Sequence, residues 1–337
     1  MDLYPSRSVQ GFSVALLLLY LFSPLTSAQQ EDFTKLIVFG DSLSDTGNLA
    51  IIDLPSPYFS NRISDGPVAV DFIATSIGSN ANSSRHFLGS PVGFNYAVAG
   101  GNIVGDDRED LASQIDVHLN RINDQTDPNA LYVVFAGGND LRDIRSIGTA
   151  SIAAQRINAA VAQLDAQIQR LVDAGARAFF VPNVPNIARI PETLERIPSD
   201  QTVSSRAQTY VQQYNNALAQ TLQKYQSRSD LAFTTFDLYA AFENILDNFS
   251  SFGFRNREEG CFNPSDFPFS VSNPPIELEC IIFDFESRVF FDNIHPSSRT
   301  NELLGAQMVA ALPSLGTIDS RNRRSTIPAI LDLLFDD

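Results

Sequence analysis

Short apolar runs alternate with helical patterns along most of the chain. A continuous apolar run of this length is typical of a strand that is buried on both faces of a sheet. Five such runs lie at residues 35–40, 94–98, 131–136, 178–183 and 231–236. Helical patterns lie between or after them, at residues 66–77, 111–122, 157–171, 211–225 and 303–312. The alternation predicts an α/β fold in which helices cover both faces of a parallel sheet.

The first 28 residues differ from this pattern. Arg7 precedes an apolar run at residues 12–22, and the small residues of Thr26-Ser27-Ala28 follow it. This arrangement predicts a secretory signal peptide that is cleaved after Ala28. A membrane anchor is the alternative, but the run is too short and lacks stop-transfer charges. We therefore expect a secreted protein, or a periplasmic one in a bacterium, with no stable membrane anchor.

Two later segments also interrupt the alternation. Residues 250–290 contain several Phe and Pro but no clear period, and we interpret them as an insertion near the functional site. Residues 313–337 follow the last helical pattern as a C-terminal tail, whose apolar end is too short to span a membrane. The main domain is therefore expected at residues 29–312.

Export would permit a disulfide between the two cysteines and N-linked glycans at two sequons. Cys261 and Cys280 are the only cysteines, and an oxidising compartment would favour a disulfide between them. That bond would pin the insertion at residues 250–290. Asn82 and Asn248 each begin an Asn-x-Ser triplet, which would accept a glycan in a eukaryotic host.

Composition and charge exclude several functions. Apolar residues make up 44% of the 337, which is typical of a globular protein. The net charge of −16 repels phosphate backbones and anionic bilayers, so no nucleic-acid partner is expected. With two Cys, three His and no C-x-x-C motif, a structural zinc site is not expected either.

A serine follows the first predicted strand, in Gly40-Asp41-Ser42-Leu43. In open α/β sheets, ligands bind outside the carboxyl ends of the strands, where this serine would project. We expect the turn to lead into a helix whose N-terminal N–H groups face a developing anion. The alternative is that Ser42 only caps that helix.

A candidate base and its partner lie near the other end of the chain. Asp292 and His295 are three positions apart, which lets the carboxylate reach Nδ1 while Nε2 faces outward. A serine nucleophile needs such a base and a group that holds its tautomer. The other histidines, His86 and His118, have no carboxylate at this spacing and are interpreted as structural or surface residues.

Two glycine-rich turns could bind an oxyanion. Gly100 follows the second predicted strand and could present a backbone N–H, although its neighbour Gly101 could do so instead. Asn139 follows the third strand and could present its side-chain amide. Ordinary turn chemistry is the alternative for both segments. Together with Ser42 and His295, however, they form a consistent set at strand ends.

In these motifs the chain resembles the GDSL family, also called SGNH hydrolases. The matching residues are Gly40-Asp41-Ser42-Leu43, the stretch 95–101, Gly138-Asn139-Asp140 and Asp292-Asn293-Ile294-His295-Pro296. The resemblance implies a flavodoxin-like three-layer α/β/α domain with about five parallel strands. It also implies ester hydrolysis without a metal or organic cofactor. Ser42 would be the nucleophile, Asp292 and His295 the acid and base, and Ser42, Gly100 and Asn139 the oxyanion donors.

The sequence is compatible with several classes of substrate. The Phe-rich stretch 249–291 could line an acyl pocket and favour lipid or long-chain esters, or its Phe side chains could pack the insertion. We predict an esterase or lipase acting on a small-molecule or lipid ester. The first alternative is a carbohydrate acetylesterase acting on an acetylated glycan. A non-catalytic secreted binding protein is the second, and the intact set of Ser42, Asp292, His295 and Asn139 disfavours it.

Overall fold

The computed structural model of the protein describes residues 33–49, 53–89, 91–263 and 275–318. Within these residues, one sheet contains four parallel strands whose order in space is their order in the chain. The strands are β1 (Leu36–Gly40), β2 (Leu131–Phe135), β3 (Ala178–Pro182) and β4 (Ala232–Phe236). Every residue of β1, β2 and β3 is buried, which explains their continuous apolar runs.

The predicted second strand, residues 94–98, lies beside β1 but does not form a regular ladder. The Tyr96 N–H donates to Val38 O at 2.7 Å, and the Val98 N–H donates to Gly40 O at 3.1 Å. Farther along, Asn48 Nδ2 binds the carbonyl oxygens of Asn95 and Ala97, each at 2.8 Å. On the β1 side the ladder is interrupted at Gly40, whose N–H donates to Gln114 Oε1 at 2.9 Å. With this segment counted, the spatial order matches the flavodoxin-like arrangement, in which the second segment lies outside the first.

The helices of the described residues are α1 (Ala69–Ser76), α2 (Leu111–Arg121), α3 (Gly138–Ile144), α4 (Ala150–Asp173), α5 (Pro191–Leu194), α6 (Val203–Gln226), α7 (Leu238–Asp247), α8 (Leu278–Phe283) and α9 (Ser298–Ala310). Six of them form two groups. In the first group α2 and α6 pack against α4, and in the second group α1 and α7 pack against α9. Together with the sheet they give the expected three-layer α/β/α architecture.

The five predicted helical stretches correspond to α1, α2, α4, α6 and α9. Three of them start earlier than the pattern predicts: α4 begins at Ala150 rather than at residue 157, and α6 begins at Val203 rather than at residue 211. Likewise α9 begins at Ser298 rather than at residue 303. Its first turn contains polar residues, yet Ser298, Thr300 and Asn301 are buried. Apolar periodicity cannot detect a helix turn that is buried through hydrogen bonds.

A disulfide between Cys261 and Cys280 joins the two described parts of the insertion, residues 250–263 and 275–290, with the Cα atoms 5.8 Å apart. Tyr58, Phe262 and Phe291 pack with these cysteines in a small apolar cluster, separate from the main core. The insertion thus rests on Phe291, next to Asp292. The predicted signal peptide and most of the tail lie outside the described residues, so the domain boundaries at 28 and 312 stay predictions.

No helix in the part of the chain that the structure describes is both long and apolar enough to cross a bilayer.

Candidate active site

Ser42 lies on a tight turn at the carboxyl end of β1. Gly40 is required there, because a Cβ at this position would lie 2.2 Å from the carbonyl oxygen of Phe135 in β2. The Asp41 carboxylate accepts the Leu43 N–H at 3.0 Å, and the Asp41 carbonyl accepts the Ser44 N–H at 3.1 Å. These bonds fix the turn and leave Ser42 half-buried at its tip.

The turn does not lead directly into a helix, contrary to the expectation from the sequence. The first helix that the structure describes after Ser42 is α1, which starts at Ala69. Asp45 organises the intervening chain, since its buried carboxylate accepts backbone N–H groups from Gly47, Asn48, Leu49 and Ala99. The backbone N–H groups that directly follow Ser42 therefore belong to a turn rather than to a helix terminus.

Ser42, His295 and Asp292 form one continuous hydrogen-bonded line. His295 Nε2 lies 2.8 Å from Ser42 Oγ, and His295 Nδ1 lies 2.8 Å from Asp292 Oδ2. Asp292 Oδ1 also accepts the backbone N–H groups of Ile294 and His295, each at 2.7 Å. Because the carboxylate can only accept, Nδ1 carries the proton and Nε2 is free to take one from the serine.

The segment that contains Asp292 and His295 is held on both sides. Its own chain closes a tight turn, since the Phe291 N–H donates to His295 O at 2.8 Å. On the insertion side, Cys261 N–H donates to Phe291 O at 2.9 Å. Gly260 packs so closely that a Cβ there would lie 2.2 Å from the Asp292 carbonyl. The disulfide-linked insertion therefore supports the acid and base from behind.

The structure distinguishes between the two neighbouring glycines. Gly101 donates its N–H to Val98 O at 3.0 Å, so that group is already used. No acceptor among the described residues binds the Gly100 N–H, and Gly100 has a φ of +89°, which favours glycine. Gly100 is therefore the better candidate donor.

Asn139 lies in the first turn of α3 and presents its amide toward the same edge of the sheet. Nδ2 donates to Gly101 O at 3.0 Å, and Oδ1 accepts from Arg142 Nη1 at 2.9 Å. One hydrogen of Nδ2 stays available. Ser42, Asn139 and His295 line the same cavity, whereas Asp292 lies behind His295 and Gly100 lies outside the lining.

Two charged residues near Asn139 were not identified from the sequence. Arg142 makes a bidentate pair with Glu192, with N–O distances of 2.9 and 3.0 Å. Burial favours the neutral acid, but hydrogen bonds and charge from Arg142 and Arg145 lower the pKa of Glu192 to about 2. The Asn139-x-x-Arg142 spacing was the available signal, because residues three apart share a helix face.

Asp41, which directly precedes the nucleophile Ser42, is a further ionisable group of the site. It is 2% exposed, and burial raises its pKa to about 6, although the hydrogen bond from Leu43 and the charge of His295 act in the opposite direction.

The cavity beside Ser42 is apolar and small, with a volume of about 60 Å³. Its apolar walls come from α7, α9 and the loops between β3 and α6: Pro185, Ile187, Ile190, Leu238, Phe242, Leu304 and Met308. No described residue of the Phe-rich stretch 249–291 lines it. The Phe side chains of the described part of this stretch therefore do not form the wall of this cavity. Phe262, Phe285 and Phe291 instead pack around the disulfide and Tyr58.

The remaining predicted residues lie away from this cavity. His118 is 1% exposed and packs edge-on against Phe39 and Tyr96, as a structural histidine does. His86 is half-buried and its Nδ1 lies 2.6 Å from Ser84 Oγ. Asn82 and Asn248 are both exposed, and their glycosylation stays a prediction.

The model of one protein family matches nearly all of the described chain. It covers residues 36–308 and is described as GDSL-like Lipase/Acylhydrolase. A GDSL esterase/lipase of Arabidopsis thaliana is 26% identical, covering 86% of this chain and 91% of the relative. A GDSL lipase of Tanacetum cinerariifolium is 26% identical, covering 87% of each. A thermolabile hemolysin of Vibrio parahaemolyticus is 24% identical, covering 88% of this chain and 68% of the relative.

Among solved structures, an acetylxylan esterase from Geobacillus stearothermophilus is similar with a TM-score of 0.42 and 14% identity. It covers 85% of this chain, and 97% of that protein is matched.

The fold and the family matches define an enzyme class, the carboxylic ester hydrolases. Within that class, the chain belongs to the GDSL-like lipase/acylhydrolase family.

Proposed function

We propose that the protein is a secreted serine ester hydrolase that works through an acyl-enzyme on Ser42. The observation that carries this proposal is the line from Ser42 Oγ through His295 to Asp292, with 2.8 Å at both steps. Such a line supplies a nucleophile, a base and a group that holds the base, in hydrogen-bond reach of one another.

The first half of the reaction forms the acyl-enzyme. Ser42 Oγ attacks the ester carbonyl as its proton moves to His295 Nε2, and Asp292 stabilises the resulting imidazolium. The carbonyl oxygen becomes an oxyanion, which accepts hydrogen bonds from the N–H groups of Ser42 and Gly100 and from the Asn139 amide. The tetrahedral intermediate then collapses, and the alcohol leaves with the proton held by His295.

The second half releases the acid. A water molecule attacks the acyl carbonyl while His295 Nε2 takes its proton, and the same three donors stabilise the second oxyanion. Collapse of that intermediate breaks the bond to Ser42 Oγ, which recovers its proton from His295. Each proton and each charge is thus handled by side chains and backbone N–H groups, so the mechanism calls for no metal or organic cofactor.

The cavity next to Ser42 favours a short, apolar acyl group. A volume of about 60 Å³ has room for about four to six non-hydrogen atoms, if one water needs about 10–15 Å³ on this measure. We therefore expect the best substrates to carry acyl chains of about four to six carbons. The alcohol side would face solvent, which fits a small-molecule or lipid ester.

A series of p-nitrophenyl esters from acetate to palmitate tests this proposal. The protein should hydrolyse the butyrate and hexanoate esters fastest, and Ser42→Ala should remove the activity while the melting temperature stays the same. An active Ser42→Ala variant would refute the acyl-enzyme. A wild type that is folded but inactive on every ester would favour the non-catalytic binding protein.

The second candidate is a carbohydrate acetylesterase, because an acetyl group also fits a cavity of this size. It would be favoured if acetylated xylan, followed by release of acetate, were hydrolysed faster than p-nitrophenyl butyrate, followed by release of p-nitrophenol, at matched concentration of ester groups. The apolar side chains that line the cavity, among them Ile187 and Met308, favour an acyl group longer than acetyl.

Secretion is part of the proposal. It is supported by the disulfide between Cys261 and Cys280, which fits an oxidising compartment. Expression of the full chain followed by N-terminal sequencing of the medium fraction should give a protein that begins at Gln29. Retention of the uncleaved chain inside the cell would contradict it.

A further inference from the structure

We propose that Arg142 is a positioning residue that fixes the Asn139 amide in the orientation needed to bind the oxyanion. This inference rests on the proposed function. It assigns a role to a side chain that neither accepts the serine proton nor touches Ser42, His295 or Asp292 in any hydrogen bond of the described residues.

An asparagine amide needs such a partner because its two ends are alike in shape and opposite in polarity. The terminal torsion has two similar orientations, and only one of them presents an N–H to the reacting oxygen. In the other, a carbonyl oxygen would face the oxyanion and repel it. An amide in this flipped orientation does not stabilise the oxyanion, because its N–H is not preorganised toward the reacting oxygen.

The contacts of Asn139 select one orientation. Arg142 can only donate, and its Nη1 lies 2.9 Å from Asn139 Oδ1. The Gly101 carbonyl can only accept, and it lies 3.0 Å from Asn139 Nδ2. A flipped amide would set two donors against each other on one side and two acceptors on the other. Both contacts therefore direct the remaining Nδ2 hydrogen away from Arg142.

Arg142 is itself held in place. Its Nε and Nη2 bind the two carboxylate oxygens of Glu192, so the planar fork has one orientation. Arg145, whose side chain is almost completely buried, lies 2.7 Å from the same carboxylate. The side chains of Arg142 and Glu192 are only 26% and 13% exposed, so water competes weakly for these bonds.

Glu192 also connects this cluster to the segment that carries the acid and base. Its backbone N–H donates to Asn293 O at 2.8 Å, one residue from Asp292. The oxyanion side and the acid–base side of the site are therefore joined through α5.

A double-mutant cycle between Arg142→Met and Asn139→Ala tests the role of Arg142, with p-nitrophenyl butyrate as a neutral substrate. Arg142→Met should lower kcat about 10- to 100-fold and change KM less than about threefold, since the lost donor acts in the transition state. In the Asn139→Ala background the same substitution should change kcat less than about threefold, because the amide that it positions is gone. Arg142→Lys should stay impaired, because a point charge cannot bind Asn139 and both Glu192 oxygens at once.

Arg62→Met is the matched control. Arg62 also forms a bidentate pair, with both N–O distances to Asp71 at 2.7 Å and a side chain that is 15% exposed, but it does not contact the site. The Arg62→Met variant should lose stability as Arg142→Met does, but it should keep the wild-type kcat. Equal losses of kcat in the two variants would mean that Arg142 acts only on folding, which would overturn the proposal.

Two other results would also overturn it. Multiplicative losses in the cycle would mean that Arg142 acts on the transition state directly, and a rise in KM with unchanged kcat would mean that it binds substrate. The side-chain amide resonances of Asn139 give a readout without turnover, and they should shift in Arg142→Met but not in Arg62→Met. If the wild type hydrolyses no ester, the proposed function fails. If it is active through Ser42 and the cycle is multiplicative, only the role of Arg142 fails.

Discussion

His295 Nε2 lies 2.8 Å from Ser42 Oγ, although 253 positions separate the two residues along the chain. The two ends of the domain meet because α9 packs on α1, and the Asp292–His295 segment immediately precedes α9. Asn301 of α9 reinforces this arrangement, since its Nδ2 donates to Pro296 O at 3.2 Å and its Oδ1 accepts the Ala69 N–H at 3.3 Å. The fold of the whole chain therefore sets the distance between nucleophile and base.

The first prediction concerns the tautomer of His295. Asp292→Asn keeps an acceptor for the Ile294 and His295 N–H groups, but it presents an NH₂ group to Nδ1. The imidazole would then carry its proton on Nε2, where it cannot accept from Ser42. We expect kcat to fall by about 10³- to 10⁴-fold with a small change in KM.

Steady-state kinetics of Asp292→Asn, Ser42→Ala and the double variant check this prediction. Ser42→Ala and the double variant should be about equally impaired, and Asp292→Asn should be impaired less, because the residues act as one unit in which the nucleophile is indispensable. An Asp292→Asn variant that retains a tenth or more of the wild-type kcat would show that Asp292 does not hold the base.

The second prediction concerns the two neighbouring glycines. Gly100→Ala places a Cβ in open space but at a φ of +89°, so it strains the backbone by about 1–2 kcal/mol and displaces the candidate N–H. We expect a large loss of kcat with a modest loss of stability. Gly101→Ala would place a Cβ 2.4 Å from Glu109 O, so it should prevent correct folding of this turn.

Thermal melting and kinetics of the two variants separate these effects. The prediction fails if Gly100→Ala melts at a lower temperature than Gly101→Ala, or if it keeps full activity.

The third prediction concerns stability in acid. Burial, together with the charges of Arg121 and Lys35, lowers the pKa of His118 to about 4, and no described residue hydrogen-bonds either ring nitrogen. The unfolded chain takes up a proton near pH 6.5, whereas the folded chain resists it until about pH 4. The associated stability is therefore present above pH 6.5 and is lost as the pH falls from 6.5 to 4.

His118→Phe keeps the aromatic contacts with Phe39 and Tyr96 and removes this titration. Denaturant unfolding at pH 7 and pH 4.5 should show a smaller acid loss in the variant, by at most about 3 kcal/mol. An unchanged acid loss would mean that the ring is not buried in its neutral form.

The sequence predicted those parts of the fold and site that depend on local pattern. The fully buried strands β1 to β3 were predicted because their runs are apolar at every position. The stretch 94–98 pairs with β1 but forms no regular ladder, because the Gly40 N–H, which would continue the pairing, donates to Gln114 Oε1, 74 positions along the chain. The Arg142–Glu192 pair was missed since 50 positions separate its members, and only the folded chain shows that they meet.

The fourth prediction concerns Asp41, at which stability should depend on pH in the opposite direction to that at His118. Burial raises its pKa to about 6, above the ordinary value of 3.8. The folded chain keeps the proton longer than the unfolded one, so the associated stability is present below about pH 4 and is lost as the pH rises through 6. Asp41→Asn retains an acceptor for the Leu43 N–H and removes the buried charge.

The unfolding free energy of Asp41→Asn relative to the wild type should therefore increase between pH 4 and pH 7, by at most about 3 kcal/mol. Asp65→Asn, at a half-buried acid that accepts two bonds from Ser298 and whose pKa is also raised by burial, should show a pH dependence of the same sign. A difference between Asp41→Asn and wild type that is independent of pH would contradict the raised pKa.

The last prediction concerns the length of the acyl chain. Met308 is buried on α9 and lines the cavity, so Met308→Ala should extend it. We expect the preferred p-nitrophenyl ester to lengthen by about two to three carbons, at a cost of about 2–4 kcal/mol in stability. Gln307→Ala is the control, because Gln307 is exposed on the same helix and does not line the cavity. Chain-length profiles of the wild type and both variants at one temperature, below the lowest melting point, make the comparison. If Met308→Ala lowers the rates on all esters by the same factor, the acyl group lies elsewhere, and the cavity does not set the specificity of the enzyme.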